Sequence, residues 1–483
     1  MDLRRESDVE QLRRIALAQQ VQIEQLLRVL ASKCRELESL KGNPEELQQT
    51  LALLETLKKK AKQAADEAGG ESAESPVKKP KKPRKTFGPS PQPALPIVPE
   101  VFELDEPDRT CPSCGGHLQP MKDQFETSEM IDVIEVHYRL VQVQQQKYVC
   151  RCGGCVETAP GPERVAPGGR YSLRFGIKVA IDKYLDHLPL ARQVRILDRH
   201  GVTITTQALW DQLDLLARRY EPIDRALFDH VLAQPVIGLD QTSWKRLDDN
   251  TKKAWQMWCL TAPGIVVHRI RDNKGAATFE DLVGGYHGVI VCDALKTHEA
   301  GARASPGITL AACWAHVYRK FEEAAADHPE AHLALGWIGE LYEIDERAGD
   351  DAERRGELRR TESAAVLEKM KMWLWSQAIL KSLSIGKASA YAIANWDRLT
   401  HFVTHPAIPL DNNATERGIR GPVVGRRNHF GSKSRRGTQV AATFYTLMET
   451  AKLRGVDPAE YLLEAARAAE RGEILLPWGI AKQ

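Results

Sequence analysis

The sequence predicts a multidomain α+β protein, and three observations support that prediction. Its 483 residues exceed what one hydrophobic core usually covers. Apolar residues spaced three and four apart indicate helices towards both ends of the chain, whereas apolar runs rich in Val, Ile and Trp in the middle indicate strands. A stretch rich in Pro and Lys and a cysteine-rich stretch lie between these parts, so we expect several units joined by a linker.

The overall charge is nearly balanced, with 67 Lys plus Arg against 65 Asp plus Glu. A nucleic-acid partner would therefore have to bind at local basic patches. No stretch approaches the roughly 20 apolar residues that span a bilayer, and the N-terminus is charged where a signal peptide is apolar. We therefore expect an intracellular protein without a membrane partner, in which clustered cysteines bind metal more often than they form disulfides.

The N-terminal segment has the apolar spacing of a coiled coil, with charged residues between the apolar ones. A break containing glycine and proline separates it from a second helical segment. Packing on the same chain also fits, but the charged flanks favour self-association as a dimer or larger assembly. The predicted stripe consists of Ile23, Leu27, Leu30, Cys34 and Leu37.

The next segment is rich in Gly, Ser, Pro and Lys, and its proline density favours extended backbone. We interpret it as a linker whose cations either bind DNA phosphates or form a solvated tail. The basic residues are Lys78, Lys79, Lys81, Lys82, Arg84 and Lys85.

Two cysteine clusters follow, in "CPSCGG" and "YVCRCGGCV". A Cys-x-x-Cys turn directs two thiolates towards one zinc ion, and two such turns complete a tetrahedron. The spacing predicts Cys111, Cys114, Cys152 and Cys155 as zinc ligands, with Cys150 as the alternative in the second cluster. The alternating polar and apolar residues between the clusters are typical of ribbon strands.

The segment after the cysteines has helical apolar spacing, and "RHGVTITTQALWDQL" places a glycine turn and a capping threonine before a helix. That helix would carry Leu209, Trp210 and Leu213. A helix-turn-helix and a plain helical connector fit this pattern equally well.

Two strand-like runs end in an aspartate, "VIGLD" at Asp240 and "GVIVCD" at Asp293. Between them, residues 255–271 predict two further strands. Ends of adjacent parallel strands lie about 5 Å apart, so carboxylates at those ends can share a divalent cation. We expect a third acid from a helix.

Glu416 is the candidate for that acid, because it lies in the most cationic stretch of the chain. Asn413 or Thr415 is predicted to cap a helix that begins near Glu416. Either Glu416 only balances the neighbouring cations, or it binds a metal while those cations hold phosphates. The cations are Arg417, Arg420, Arg426, Arg427, Lys433, Arg435 and Arg436.

The motif "CWAHVYRKF" lies between the second and third acids. We predict that Cys313 and Trp314 pack in the core, while His316, Arg319 and Lys320 face DNA or position the acids. The alternative is a soft metal ion held by the cysteine and the histidine.

The chain resembles the insertion sequence 66 family of transposases along nearly its whole length. The matching features are the zipper-like segment, the basic linker and the motifs "CPSCGG", "CRCGGC", "LDQTSW", "VCDA", "CWAHVYRKF" and "DNNATERGIRG". The resemblance implies a ribonuclease H-like catalytic domain with a helical insertion, in which Asp240, Asp293 and Glu416 hold Mg²⁺ or Mn²⁺. It also implies a bacterial protein at the nucleoid that cleaves and joins double-stranded DNA, namely transposon terminal inverted repeats and target DNA. Many relatives carry Asp-Glu-Thr where this chain has Asp240-Gln241-Thr242.

Two other functions share these features, a non-catalytic DNA-binding regulator derived from a transposase and a metal-dependent nuclease that does not transpose. The predicted units are a coiled coil at 1–67, a linker at 68–100, a zinc ribbon at 101–160, a helical region at 161–230, a catalytic domain at 231–440 with its insertion at about 325–400, and a helical unit at 441–483.

Overall fold

The computed structural model of the chain describes residues 113–115, 117, 137–149, 156–249, 251 and 254–480. Contacts divide the chain into two compact units, Met1–Ser128 and Glu129–Gln483. The predicted coiled coil and basic linker, and most of the predicted zinc ribbon, lie outside the described residues. The elements below all belong to the second unit.

The strands are β1 Lys147–Val149, β2 Val156–Thr158, β3 Val236–Ser243, β4 Gln256–Ala262, β5 Ile265–Arg271, β6 Gly288–Cys292 and β7 Ile308–Ala312. The helices are α1 Leu173–Tyr184, α2 Leu190–Arg199, α3 Thr206–Leu232, α4 Ala276–Val283, α5 Lys296–Ala304, α6 Trp314–Ala325, α7 Ala331–Ala348, α8 Ala352–Leu358, α9 Ala364–Ala378, α10 Ser384–Ala394, α11 Trp396–Thr400, α12 Asn413–His429, α13 Arg435–Leu453 and α14 Pro458–Glu470. A π-helical turn spans Arg359–Ser363, and 3₁₀ turns span His401–Val403 and Pro477–Gly479.

A five-stranded sheet in the order β5-β4-β3-β6-β7 forms the centre of this unit. The antiparallel strands β3, β4 and β5 are consecutive in the chain, and Gly264 takes the positive φ of the turn between β4 and β5. Strands β6 and β7 pair parallel on the other side of β3. The strands predicted before each aspartate and at 255–271 are therefore confirmed, but the prediction that the first strand ends at Asp240 was wrong, because β3 continues to Ser243 in its pairing with β4. Strand β1 pairs with β2 in a separate antiparallel ribbon.

Helix α13 covers the free edge of β5. The Thr446 hydroxyl accepts a hydrogen bond from the His268 N–H at 2.9 Å. The Thr450 hydroxyl accepts from the Val266 N–H at 3.2 Å and donates to the Val266 carbonyl at 2.8 Å. These contacts satisfy edge groups that would otherwise be available to another strand.

The two faces of the sheet bury different helices, because side chains alternate along each strand. Ile237 and Leu239 face one core that also contains α3 and α4. Val291 faces a second core with Trp314 and the helices of residues 331–400. Helix α12 covers β3 and β4 on the face that carries Gly238 and Asp240.

Helices before and after the sheet join the first core. The rings of Tyr184 on α1 and Phe444 on α13 stack with centroids 5.2 Å apart. The Tyr220 hydroxyl on α3 donates to the Leu462 carbonyl on α14 at 2.7 Å. Helix α13 spans residue 440, where the sequence analysis places the boundary between the predicted catalytic domain and the predicted C-terminal unit.

The capping threonine predicted after the glycine turn is confirmed, since the Thr205 hydroxyl accepts from the Ala208 N–H at 3.1 Å. In the described part of the chain, no helix is both long enough and apolar enough to cross a membrane.

Candidate active site

Asp240 lies on β3, and Asp293 directly follows the neighbouring strand β6. Strands β3 and β6 run parallel, with Leu239 opposite Cys292. Asp240 directly follows Leu239, and Asp293 directly follows Cys292. Parallel strands are about 4.8 Å apart, and matching positions face the same side of the sheet. The register alone therefore brings these two predicted acids together.

Gly238 lets the beginning of α12 approach β3 closely. A Cβ at this position would lie 2.1 Å from the Thr415 hydroxyl oxygen and 2.7 Å from the Asn412 Oδ1. The Asn412 amide donates to the Leu239 carbonyl at 2.9 Å, and the Thr415 hydroxyl lies 2.6 Å from that of Thr261 on β4. The first turn of α12 is thus attached to the two central strands beside Asp240.

The prediction of the cap for this helix was wrong. Helix α12 begins at Asn413, three residues before Glu416, and its N-cap residue is Asn412, whose side chain makes no capping hydrogen bond. The Asn412 and Thr415 side chains bind the sheet instead, as described above. Glu416 therefore lies within the first turn of α12, where a carboxylate interacts favourably with the helix dipole.

Glu416 is engaged by cationic and imidazole groups from α6. Its Oε1 accepts a short hydrogen bond from Arg319 and lies 3.9 Å from the His316 Nε2. The Arg319 side chain is 48% exposed. Among the described residues, no group of three His, Cys, Asp or Glu side chains lies close enough to hold one metal ion in this arrangement.

The acids nevertheless influence one another electrostatically. Burial, reinforced by repulsion from Asp293 and Glu416, raises the pKa of Asp240 to about 6, although the Gln241 N–H donates to its Oδ1 at 2.7 Å. Burial lowers the pKa of His316, and the same two acids oppose that shift. The site therefore concentrates negative charge that hard cations such as Mg²⁺ neutralise with oxygen ligands.

A buried histidine near these acids was missed by the sequence analysis. The His298 Nε2 lies 2.8 Å from the Gln241 Oε1, and its ring lies against Phe279 and Trp258. Burial lowers its pKa. The contact links the residue after Asp240 to the helix that follows Asp293. The only signal in the sequence was a histidine five residues after the second acid.

The motif around Cys313 behaves as predicted in the core. Cys313 and Trp314 are buried, and the Trp314 indole N–H donates to the Leu399 carbonyl at 2.9 Å. The Cys313 sulfur accepts from the Asn412 N–H at 3.2 Å. Lys320 lies over the Tyr391 ring at 4.5 Å.

Some of the predicted DNA-binding cations are bound to other side chains, and others are exposed without such partners. Arg426 is bound to the end of β3, where it donates to the Thr242 hydroxyl at 3.1 Å. Arg436 pairs with Asp214 of α3 at 2.5 Å. Of the predicted DNA-binding cations that the structure describes, six are exposed and take part in no ion pair or side-chain hydrogen bond, namely Lys320, Arg417, Arg420, Arg427, Lys433 and Arg435.

Of the predicted zinc ligands, only Cys114 is described, and it is exposed. Cys111, Cys150, Cys152 and Cys155 lie outside the described residues. The same is true of the predicted phosphate-binding residues Lys78, Lys79, Lys81, Lys82, Arg84 and Lys85.

Comparison with known proteins gives two family matches. The model described as "Transposase IS66 family" matches residues 168–440, which is more than half of the chain. The model described as "zinc-finger binding domain of transposase IS66" matches residues 108–153.

Similar curated proteins come from Sinorhizobium fredii (strain NBRC 101917 / NGR234). Uncharacterized protein y4jD is 29% identical over 405 residues, covering 78% of this chain and 79% of that protein. Uncharacterized protein y4qI is 30% identical over 414 residues, covering 78% and 75%. Uncharacterized protein y4hP is 27% identical over 409 residues, covering 77% and 74%.

Proposed function

The chain belongs to the IS66 transposase family, and from that membership we propose that it binds the ends of a mobile DNA element and catalyses metal-dependent strand cleavage and strand transfer. The observation that carries this proposal is the register that sets Asp240 beside Asp293 on β3 and β6, below the first turn of α12 with Glu416. The strand order β5-β4-β3-β6-β7 supports a ribonuclease H-like catalytic domain.

Asp240, Asp293 and Glu416 would hold Mg²⁺ or Mn²⁺. The donors are all carboxylate oxygens, which suit these ions better than softer ones. The raised pKa of Asp240 reflects burial and the two neighbouring acids, a repulsion that a bound cation relieves. When bound, the metal supplies Lewis-acid stabilisation of the phosphoryl oxygens and activates the attacking hydroxyl.

The chemistry needs no covalent enzyme intermediate. In cleavage, water attacks the phosphorus, the bond to the 3′-oxygen breaks, and that oxygen leaves as a 3′-hydroxyl. In strand transfer, this hydroxyl attacks a target phosphorus, and one phosphodiester bond replaces another. The protein orients the phosphate between the acids and the cations of α6 and α12, where charge-assisted hydrogen bonds fix its position.

Arg319 connects metal binding to DNA binding in this proposal. It neutralises Glu416 in the structure, and nearly half of its side chain remains accessible. When a DNA phosphate enters the site, the guanidinium transfers to that phosphate and leaves Glu416 available as a ligand. Arg417 and Arg420 of α12, one and four residues after Glu416, are exposed and extend the cationic surface.

The other regions would serve assembly. The zinc-finger match supports a structural zinc, and we propose Cys111, Cys114, Cys152 and Cys155 as its ligands, with Cys150 as the alternative. Two transposon ends have to be brought together before joining, so we propose that the N-terminal segment makes the chain a dimer or larger assembly.

The test is nicking and strand transfer on DNA that carries the ends of the element, with Mg²⁺ and with EDTA. We expect Asp240→Asn, Asp293→Asn and Glu416→Gln to bind this DNA but to lose at least about a thousandfold in cleavage rate, since metal-ion stabilisation supplies several kcal/mol. Asp397→Asn, which changes an exposed aspartate on α11, is the control and should cleave normally.

The alternatives predict different results. Cleavage without joining would indicate a nuclease. Tight DNA binding without any cleavage by the wild-type protein would indicate a regulator, and would overturn the proposed activity.

A further inference from the structure

Phe430, directly after α12, is exposed in a position that suits contact with DNA. Its side chain is 65% exposed, and its backbone takes a left-handed conformation with φ 61°. Residues with a Cβ pay about 1–2 kcal/mol in this region, which is why glycine or asparagine usually ends a helix here. A large apolar ring that is both strained and exposed is not explained by packing, and such outliers are common at functional sites.

The conformation is fixed by the segment that follows β3. Gly431 lies so close that a Cβ would come within 2.2 Å of the Lys245 carbonyl oxygen. The Ser432 N–H donates to the same carbonyl at 2.9 Å, and the Leu247 N–H donates to the Ser432 carbonyl at 2.8 Å. The Phe430 N–H itself donates to the Arg426 carbonyl at 2.8 Å. The ring is therefore presented by a rigid backbone.

The surroundings are cationic. Arg417, Arg420, Val424 and Arg427 follow helical spacing on α12, and all four are exposed. Lys433 and Arg435 follow Phe430 and are also exposed. A surface of exposed cations that contains one aromatic ring is typical of proteins that bind phosphates and stack unpaired bases, because every base that leaves the duplex stack offers a π-face.

The length of α12 sets the distance between Glu416 and Phe430. Fourteen residues separate Glu416 from Phe430, which corresponds to about 21 Å at 1.5 Å per residue. A duplex that follows these cations extends over roughly six base pairs in that distance, at about 3.4 Å per base pair. Glu416 and Phe430 would thus contact the same DNA at two separate points.

We propose that Phe430 is a base-stacking residue, which contacts a base of the bound transposon end about six base pairs from the cleaved bond. This inference rests on the proposed function, because it assumes that DNA is the ligand and that the cleaved bond lies at Glu416. The contacted base would leave the duplex stack and lie against the ring, and the cations of α12 would hold the adjacent phosphates.

The experiment uses the full-length protein and a duplex containing the terminus that the wild type nicks. The fluorescent base 2-aminopurine is placed, in turn, at each position around the expected distance. We compare the wild type with Phe430→Asn, which removes the ring but suits the left-handed backbone and so preserves folding. Phe430→Trp keeps an aromatic ring, and Met372→Asn is a matched polar change of a similarly exposed apolar residue on α9, outside the cationic surface.

We expect the wild type and Phe430→Trp to change the fluorescence at one position, and Phe430→Asn to lose that change and to bind about 5- to 100-fold more weakly. The DNA affinity of Phe430→Asn should decrease with salt concentration as steeply as that of the wild type, since no phosphate contact is removed. Met372→Asn should behave as the wild type.

Two results would overturn the inference while leaving the transposase proposal intact. In one, the wild type nicks the duplex, but Phe430→Asn gives the same fluorescence and affinity. In the other, Phe430→Asn leaves the fluorescence unchanged but alters the sedimentation of the DNA-free protein, which would make this surface a contact between copies of the chain. Failure of the wild type to bind or nick the duplex would overturn the proposed function itself.

Discussion

Asp240 and Asp293 are positioned by the hydrogen-bond register of two strands, whereas Glu416 is positioned by side chains from several distant segments. The strand-borne acids need only the pairing of Leu239 with Cys292. The helix-borne acid depends on contacts such as that of Asn412 with Leu239, between residues 173 apart in sequence. Backbone pairing is shared among many hydrogen bonds, but α12 is held by a few identifiable groups. We therefore expect single substitutions to displace Glu416 while the aspartates remain paired.

Among single substitutions that loosen α12 but not the paired strands, we expect the largest effect at Arg359, in the π-helical turn. Its side chain is 1% exposed and forms two hydrogen bonds to the Asp345 carboxylate, at 2.6 and 2.9 Å. It also donates to the Phe402 and Ile408 carbonyls, at 3.1 and 2.9 Å. These carbonyls belong to the segment that leads into α12. Arg359 thereby fixes the segment that leads into the helix carrying Glu416.

Arg359→Met should lower the free energy of unfolding by about 3–5 kcal/mol, because it leaves a partly buried carboxylate and several carbonyls without donors. Hydrogen exchange read by mass spectrometry should increase in α12 and much less in β3 and β6. Arg360→Met, at the exposed neighbouring position, is the control and should change neither. Equal increases in α12 and in both strands would contradict the distinction between the two parts of the site.

The second effect depends on pH and involves His268 of β5. This residue is fully buried, and its Nε2–H donates to the Gly418 carbonyl of α12 at 3.0 Å. Burial lowers its pKa from 6.5 to about 4, with a further lowering from Arg269 and an opposing effect of the Gly418 hydrogen bond. Between these two values the unfolded chain binds a proton that the folded chain does not. The contribution of His268 to stability is therefore complete above pH 6.5 and decreases as the pH falls towards 4.

We expect this loss to reach about 3 kcal/mol, since one pKa unit corresponds to about 1.4 kcal/mol. Urea unfolding of the wild type and of His268→Gln, across the acid range, measures the difference. The glutamine keeps a donor for Gly418 but does not titrate, so its stability should depend less on pH. His287→Gln, which changes an exposed histidine, should retain the wild-type dependence. If the stability of His268→Gln depends on pH as that of the wild type does, protonation of His268 does not destabilise the contact with α12.

The third effect concerns Asn412, which connects three elements. Its amide donates to the Leu239 carbonyl at 2.9 Å, its Oδ1 accepts from the Thr415 hydroxyl at 2.5 Å, and its N–H donates to the Cys313 sulfur at 3.2 Å. Asn412→Ala removes the two side-chain contacts and leaves buried groups unsatisfied, at a cost of about 1–3 kcal/mol. Cleavage should decrease more than the stability loss explains, because Glu416 is one helical turn away.

The control for this change is Asn428→Ala, at an exposed position near the other end of α12. It should retain both stability and cleavage. If Asn412→Ala unfolds more easily but cleaves DNA at the wild-type rate, Asn412 contributes to stability only and does not position the acid.

The sequence predicted the strand-borne part of the site better than the helix-borne part, for a physical reason. An apolar run that leads into an aspartate is visible in a few consecutive residues, and parallel pairing then places Asp240 beside Asp293. The run did not reveal that β3 continues past Asp240 to Ser243. The start of α12 was predicted wrongly, because Asn412 and Thr415 bind the sheet instead of capping the helix. The pair of Arg319 with Glu416 joins residues 97 apart, which no local pattern reveals.

The smallest effect should come from Thr261 on β4, and it tests whether the contacts of α12 act as a unit. Its hydroxyl lies 2.6 Å from the Thr415 hydroxyl, which also donates to Asn412. Thr261→Val keeps the shape and should cost about 1 kcal/mol in urea unfolding. In the double variant with Asn412→Ala, the total loss should be less than the sum of the two single losses, because both substitutions disrupt the bonds of one hydroxyl. Additive losses would mean that the two contacts hold α12 independently, and that Glu416 is attached at two separate points instead of by one network.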